Sequence, residues 1–188
     1  MPDTRYTTTA MTLHWLMAAL LIGLFGFGLY MVELPLSPRK LQLYSWHKWA
    51  GVTAFALVLA RLAWRLTHRP PPLPATMTGL ERLAAEAAHW GLYLLMIAVP
   101  LSGWLMSSAK GFQTVLFGVL PIPDLLDKDK ALGDLLLSVH VTLNYTLAAV
   151  VVGHIAAALK HRLIDRDEVL ARMLPAGAGR NRTMEESR

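Results

Sequence analysis

Four stretches of the chain are almost free of formal charge, and polar residues gather between them. Met11 to Met31 contains no Asp, Glu, Lys or Arg. At about 1.5 Å per helical residue, a run of that length crosses about 30 Å of hydrocarbon. The second stretch is less clean, because only 12 residues without formal charge separate Lys48 from Arg61. Its apolar pattern nevertheless runs from Leu41 to Leu66. Lys48, Arg61 and Arg65 fall near its ends, where long side chains reach the headgroups. Trp46, Trp49 and Trp64 suit the two interfaces. The third stretch lies between Glu86 and Lys110, with Pro100 inside it as an expected kink. The fourth lies between Asp134 and Lys160. The pattern predicts an all-α protein, an integral membrane four-helix bundle with spans at about 11–31, 43–65, 84–107 and 133–159.

The connections set the orientation. With the N-terminus inside, twelve Lys and Arg residues fall on the cytoplasmic side, among them Arg5, Arg69, Arg82, Arg162 and Arg172. Six fall outside: Arg39, Lys40, Lys48, Lys110, Lys128 and Lys130. The outer six are offset by Glu33, Asp124, Asp127, Asp129 and Asp134. The bias places both termini in the cytoplasm. Arg69 to Pro74 reads as a stiff proline linker. Gly111 to Lys130 reads as an outer loop with a short interfacial segment. Residues 1–175 read as one transmembrane domain, and 176–188 as a disordered cytoplasmic tail. The first apolar run is too long for a signal peptide and lacks a small-residue cleavage site, so it reads as a retained span.

Composition agrees with lipid as the main solvent. The chain is 54% hydrophobic and 16% charged, against about 25% charged for soluble domains. There is no cysteine. That excludes disulfides, iron–sulfur ligation and haem attached through C-x-x-C-H. A metal must therefore be held by His, Met or carboxylates. The net charge of +5 fits a cytoplasmic loop bias better than nucleic-acid binding.

Candidate chemistry lies in the histidines. Five of the seven fall within or at the edge of spans: His14, His47, His89, His140 and His154. A single intramembrane histidine is most often an interhelical hydrogen-bonding group, but five in one small bundle invite a functional reading. Depth pairs four of them. His14 starts the first span, and His154 lies in the inner half of the fourth. His47 starts the second span from outside, and His140 lies in the outer half of the fourth. Fourteen residues at about 100° each bring His140 and His154 to a similar face, about 21 Å apart along the axis. Facing neutral imidazoles in two layers suit axial ligation of haem iron, with both axial positions filled. Gly51, Ala18, Gly23, Gly26 and Gly28 would leave room between helices, although small residues also serve close packing. A zinc site would need its ligands at one depth, and no H-E-x-x-H is present.

Met11-Thr-Leu-His-Trp-Leu16, Tyr44-Ser-Trp-His-Lys-Trp-Ala-Gly51, Ala88-His-Trp-Gly-Leu-Tyr93 with Val99-Pro-Leu-Ser-Gly103, and the His140/His154 pair resemble the bacterial cytochrome b561 family. The likeness extends over roughly residues 5 to 175. It implies a multi-pass inner-membrane cytochrome with two non-covalent haems b. The implied iron ligands are His14 with His154 for the inner haem and His47 with His140 for the outer haem. It also implies oxidation of periplasmic superoxide to oxygen, with ubiquinone as electron acceptor. The wider superfamily includes membrane subunits of hydrogenases and formate dehydrogenases. A haem-bearing anchor that exchanges electrons with a separate dehydrogenase or soluble cytochrome is therefore the alternative. A transporter with a histidine proton path is a third reading.

Further residues receive roles on chemical grounds. Lys48, next to His47, is the first candidate to steer anionic superoxide, ahead of Arg39, Lys40 and Lys110. His89 and His161 are candidates to exchange a hydrogen bond or proton with a quinone carbonyl. The competing roles are a haem-propionate partner for His89 and an interfacial histidine for His161. A further alternative has His89 ligating iron in place of one of the four. Arg61 and Arg65 are candidates for pairing with propionates. His68 receives no role.

Overall fold

The computed structural model describes residues 5–74 and 76–175. It contains four long helices: α1 (Thr8–Glu33), α2 (Pro38–Thr67), α3 (Gly79–Ala109) and α4 (Lys130–Leu163). All four are long and apolar enough to cross a membrane. Each is two to five residues longer at either end than its apolar run suggests, because capped polar turns extend beyond the hydrocarbon-matched stretch. The segment 176–188, expected to be a disordered tail, lies outside the described residues.

Each helix starts where a side chain satisfies an orphan backbone N–H. Thr7 accepts from the Ala10 amide, Ser37 from Lys40, and Asp129 from Leu132. Pro38 follows Ser37 at a position where no amide donor is needed. Thr78 and Glu81 form a reciprocal capping box at the start of α3. Pro100 is accommodated inside α3, which continues to Ala109.

The backbones of α1 and α2, α2 and α3, and α3 and α4 pack closely, whereas α1/α4 and α2/α4 have no comparable approach among the described residues. Side chains bridge the first of these wider gaps, with Phe25 of α1 edge-on to Tyr145 of α4 at 5.7 Å. The small interior holds Ala54, Val58, Tyr93, Val99 and Leu147. Large apolar residues such as Trp15, Ile22, Leu94 and Val152 are exposed. In water that surface would favour aggregation, and in a bilayer it is the ordinary contact with lipid.

The two ends of the bundle differ. At the terminal end, α1 and α3 begin while α2 and α4 finish. Here the Tyr6 amide donates to Arg172 O, Arg5 donates to the carbonyls of Ala171 and Leu174, and the Trp15 indole donates to Met173 O at 2.8 Å. Arg172 reaches Pro72 O at 2.7 Å. The C-terminal segment, with a short 3-10 turn at Ala171–Met173, thus straps α1 to the proline linker.

The opposite end carries a β-hairpin, β1 (Val115–Leu116) and β2 (Leu120–Pro121), where an unspecified interfacial segment was expected. Its three-residue loop, Phe117 to Val119, has positive φ at Phe117 (51°) and Gly118 (75°), the backbone that a tight hairpin requires. The Trp49 indole donates to Val115 O at 2.7 Å and the Trp104 indole to Pro123 O at 3.0 Å. These bonds anchor the hairpin over the ends of α2 and α3.

The α3/α4 contact is tight at Gly133, where a Cβ would lie 2.7 Å from Lys110 Cγ and 3.5 Å from the Ala109 carbonyl carbon. Gly133→Val should therefore destabilise the protein by about 1–3 kcal/mol, seen as a lower thermal midpoint in detergent. Gly23→Ala, whose new carbon meets nothing within 4 Å, should change stability by less than about 0.5 kcal/mol.

Candidate haem sites

The five span histidines fall into two layers. Toward the terminal end lie His14 in the second turn of α1, His89 in the third turn of α3 and His154, nine residues before the end of α4. Toward the hairpin end lie His47, nine residues into α2, and His140, ten residues into α4. All five are half-buried.

In the terminal layer the ring centres of His14 and His154 are 6.3 Å apart, and their planes cross at 67°. His89 joins them, with its ring 5.6 Å from that of His154 at the same angle. The sequence places His89 near this depth, but its approach to His154 is visible only in three dimensions. Arg61 lies beside the layer. Its Nε donates to the Tyr93 hydroxyl at 3.2 Å and its Nη1 to Ala10 O at 3.1 Å. The Arg65 guanidinium packs over Tyr93 at 5.8 Å and Trp90 at 6.0 Å. Both cations border a shallow basic pocket at the terminal end, together with Arg5, His68 and Arg69. His68 stacks flat on Trp64 at 3.8 Å.

His161 sits two turns beyond His154 on the same face of α4. Its Nδ1 is 2.7 Å from Asp167 Oδ2 and 3.2 Å from Asp165 Oδ2. The Val169 amide fixes Asp167 through its other oxygen at 3.0 Å. A carboxylate only accepts, so the Nδ1 proton of His161 points at Asp167.

In the hairpin layer His47 and His140 line one cavity of about 240 Å³. Gly51, Val52, Phe55, Leu101 and Trp104 complete most of its wall, and Thr114 and Ile122 from the hairpin stem close its end. The Nδ1 of His47 is buried without a hydrogen-bond partner. His140 is held on one side: its Nδ1 is 3.0 Å from Val99 O and 3.0 Å from Ser102 Oγ. Sequence reasoning gave Ser102 no role, although it lies in the Val99-Pro-Leu-Ser-Gly103 motif.

Lys48 borders this cavity, but its ammonium is already engaged. It donates to Ser107 Oγ (3.3 Å), Phe112 O (3.0 Å) and Gln113 O (3.3 Å), which ties α2 to the start of the hairpin loop. Lys40 caps the end of α1 through Val32 O and Leu34 O. Lys110 pairs with Asp134 at 3.2 Å. Arg39 makes no hydrogen bond or ion pair among the described residues.

These features fit a planar, imidazole-ligated prosthetic group. The histidine pairs lie across α1/α4 and α2/α4, whose backbones do not pack closely. A Cβ on Gly51 would meet nothing within 4 Å, so space stands open in the cavity that His47 and His140 line. A buried imidazole nitrogen without a partner is costly unless a ligand satisfies it.

Comparison with known proteins agrees with this geometry. A family model described as prokaryotic cytochrome b561 matches residues 5–176. Cytochrome b561 homolog 2 of Escherichia coli (strain K12) is 36% identical over 172 residues, covering 90% of this chain and 91% of that protein. A probable superoxide oxidase CybB of Yersinia pestis is 28% identical over 180 residues, covering 93% and 98% of the two chains. Cytochrome b561 homolog 1 of E. coli K12 is 28% identical over 182 residues, covering 91% and 97%. The chain is therefore a member of the prokaryotic cytochrome b561 family of haem b-binding, electron-transferring membrane proteins.

Proposed function

We propose that the protein is a di-haem superoxide:ubiquinone oxidoreductase of the bacterial inner membrane, with both termini in the cytoplasm. His14 and His154 would hold the inner haem, and His47 and His140 the outer one. The observation that carries this reading is the 6.3 Å between the His14 and His154 ring centres. Rings at that separation could share one metal between their nitrogens. The His89 ring lies 5.6 Å from that of His154, so a third imidazole shares this layer. His89 then stands beside the ligand pair as a propionate or quinone contact.

Haem held by these histidines would supply one-electron chemistry. The remaining work falls to the chain. The apolar wall of the outer cavity and the hairpin keep water from the His47/His140 layer. Lys48 fixes a positive charge at its rim, which raises the encounter rate of an anion. Arg61 and Arg65 offer guanidinium donors to carboxylates at the inner end. Two superoxide ions each lose one electron and leave as oxygen, and a quinone takes both electrons with two protons. His161, with Nδ1 committed to Asp167, keeps Nε2 for a quinone oxygen at the cytoplasmic side. The substrate assignment draws support from the similarity to the probable superoxide oxidase and from the cationic rim.

The test is superoxide-driven ubiquinone reduction by the purified single chain. Activity without any added subunit is the expected result, and a requirement for a separate dehydrogenase or soluble cytochrome would favour an anchor role instead. Replacing His47 or His140 with Ala should remove one haem and leave the other. Replacing His14 or His154 should do the reverse, and His89→Ala should keep both. Loss of both haems, or of neither, from the His140 variant contradicts the pairing. Lys48→Glu should slow superoxide oxidation about 10-fold at low ionic strength and flatten its salt dependence, with rates taken per haem bound. An unaltered rate there would remove Lys48 from the mechanism.

A further inference from the structure

The hairpin-layer histidines differ in what stands behind them. His47 Nδ1 has no partner, whereas His140 Nδ1 has two acceptors at 3.0 Å, Val99 O and Ser102 Oγ. The Ser102 hydroxyl itself is 2.7 Å from Val99 O. The direction of every bond in this triangle follows from donor chemistry. A carbonyl oxygen cannot donate, so both the Ser102 hydroxyl and His140 Nδ1–H donate to Val99 O. With its hydrogen turned to Val99, the Ser102 oxygen offers a lone pair to the same Nδ1–H. The imidazole is thereby held as the Nδ1–H tautomer, and Nε2 retains its lone pair.

Packing holds the ring as well as its proton. A Cβ built on Gly103 would lie 3.0 Å from His140 Cε1 and 3.3 Å from its Nδ1. A side chain there would press on the ring edge, which would have to shift by a few tenths of an ångström. Ser102 is itself buried, at 5% exposure, so water does not compete for its oxygen. The Asn144 side chain bonds the His140 carbonyl at 2.7 Å, bracing the helix turn that carries the ring.

We propose that Ser102 is the positioning residue for His140 and lowers the reduction potential of the outer haem relative to a chain without that hydroxyl. The inference rests on the reading of His140 as an outer-haem ligand. Hydrogen bonds from Nδ1–H to oxygen acceptors give the imidazole more electron density, which favours the ferric state. Low outer potential suits onward transfer of an electron toward the inner layer, so Ser102 would help to set the direction of flow.

The test is a spectroscopic redox titration of the full-length protein in detergent, comparing wild type with Ser102→Ala and Ser102→Thr. Ser102→Ala should retain two haems and shift one of them, the haem that is lost in His140→Ala, toward reduction. The expected shift is about 3- to 10-fold in the one-electron equilibrium, tenfold being about 59 mV. The other haem should not move, and Ser102→Thr, which keeps a hydroxyl, should return most of the shift. As a second probe, Gly103→Ala should displace the ring and alter the low-spin electron paramagnetic resonance signal of that haem alone. An unshifted potential in Ser102→Ala, or an equal shift of both haems, overturns the proposal while leaving the ligand assignment intact. Retention of both haems by His140→Ala would instead overturn the ligand assignment on which it rests.

Discussion

The architecture depends on imidazoles that face one another across helix pairs whose backbones stay apart. Neutral histidines in a bilayer are costly when unpaired, and Gly51 leaves open space in the cavity lined by His47 and His140. A bundle built for itself alone would close those gaps with interdigitating side chains. This one closes α1/α2, α2/α3 and α3/α4 and leaves α1/α4 and α2/α4 wider. His14 with His154 and His47 with His140 lie across those wider gaps, while His89 reaches His154 from the closely packed α3.

The helices divide the work. α3 is the most buried, with 39% of its apolar window covered against 6–11% for the others. It serves as the structural spine and supplies Val99, Ser102 and Gly103 behind His140. α4 is the most lipid-exposed and carries one histidine at each depth, so it bridges both layers. Each end of the bundle is then finished differently. The hairpin, held by Trp49, Trp104 and Lys48, covers the end above His47 and His140. The strap at Ala171–Met173 closes the end beyond His14 and His154. Arg61 and Arg65 stand beside that layer, against Tyr93.

Much of this was legible in the sequence because it depends on one-dimensional spacing. Charge-free runs locate the helices, and residue depth sorts His14 with His154 and His47 with His140. What escaped depends on rotation about the helix axes or on local turn chemistry. The approach of His89 to His154 requires knowing how α3 is rotated against α4. The hairpin was hidden because its strands are two residues long, although the Phe117-Gly118 pair was a usable turn signal. Lys48 read as a free surface cation, yet its ammonium staples the hairpin loop, because a long side chain finds carbonyls that only tertiary structure brings near. Ser102 lay inside a motif that had been noticed, but a serine facing a ligand's far nitrogen is visible only once α3 and α4 are packed.

The most direct measurement of the central claim is the haem-to-protein ratio of the purified chain, expressed with ample haem supply and assayed by pyridine haemochromogen absorbance. Two stacked histidine pairs predict two b-type haems per chain, both reducible and both low-spin. A ratio of one would mean that a single layer binds haem, and a colourless protein would contradict the account entirely.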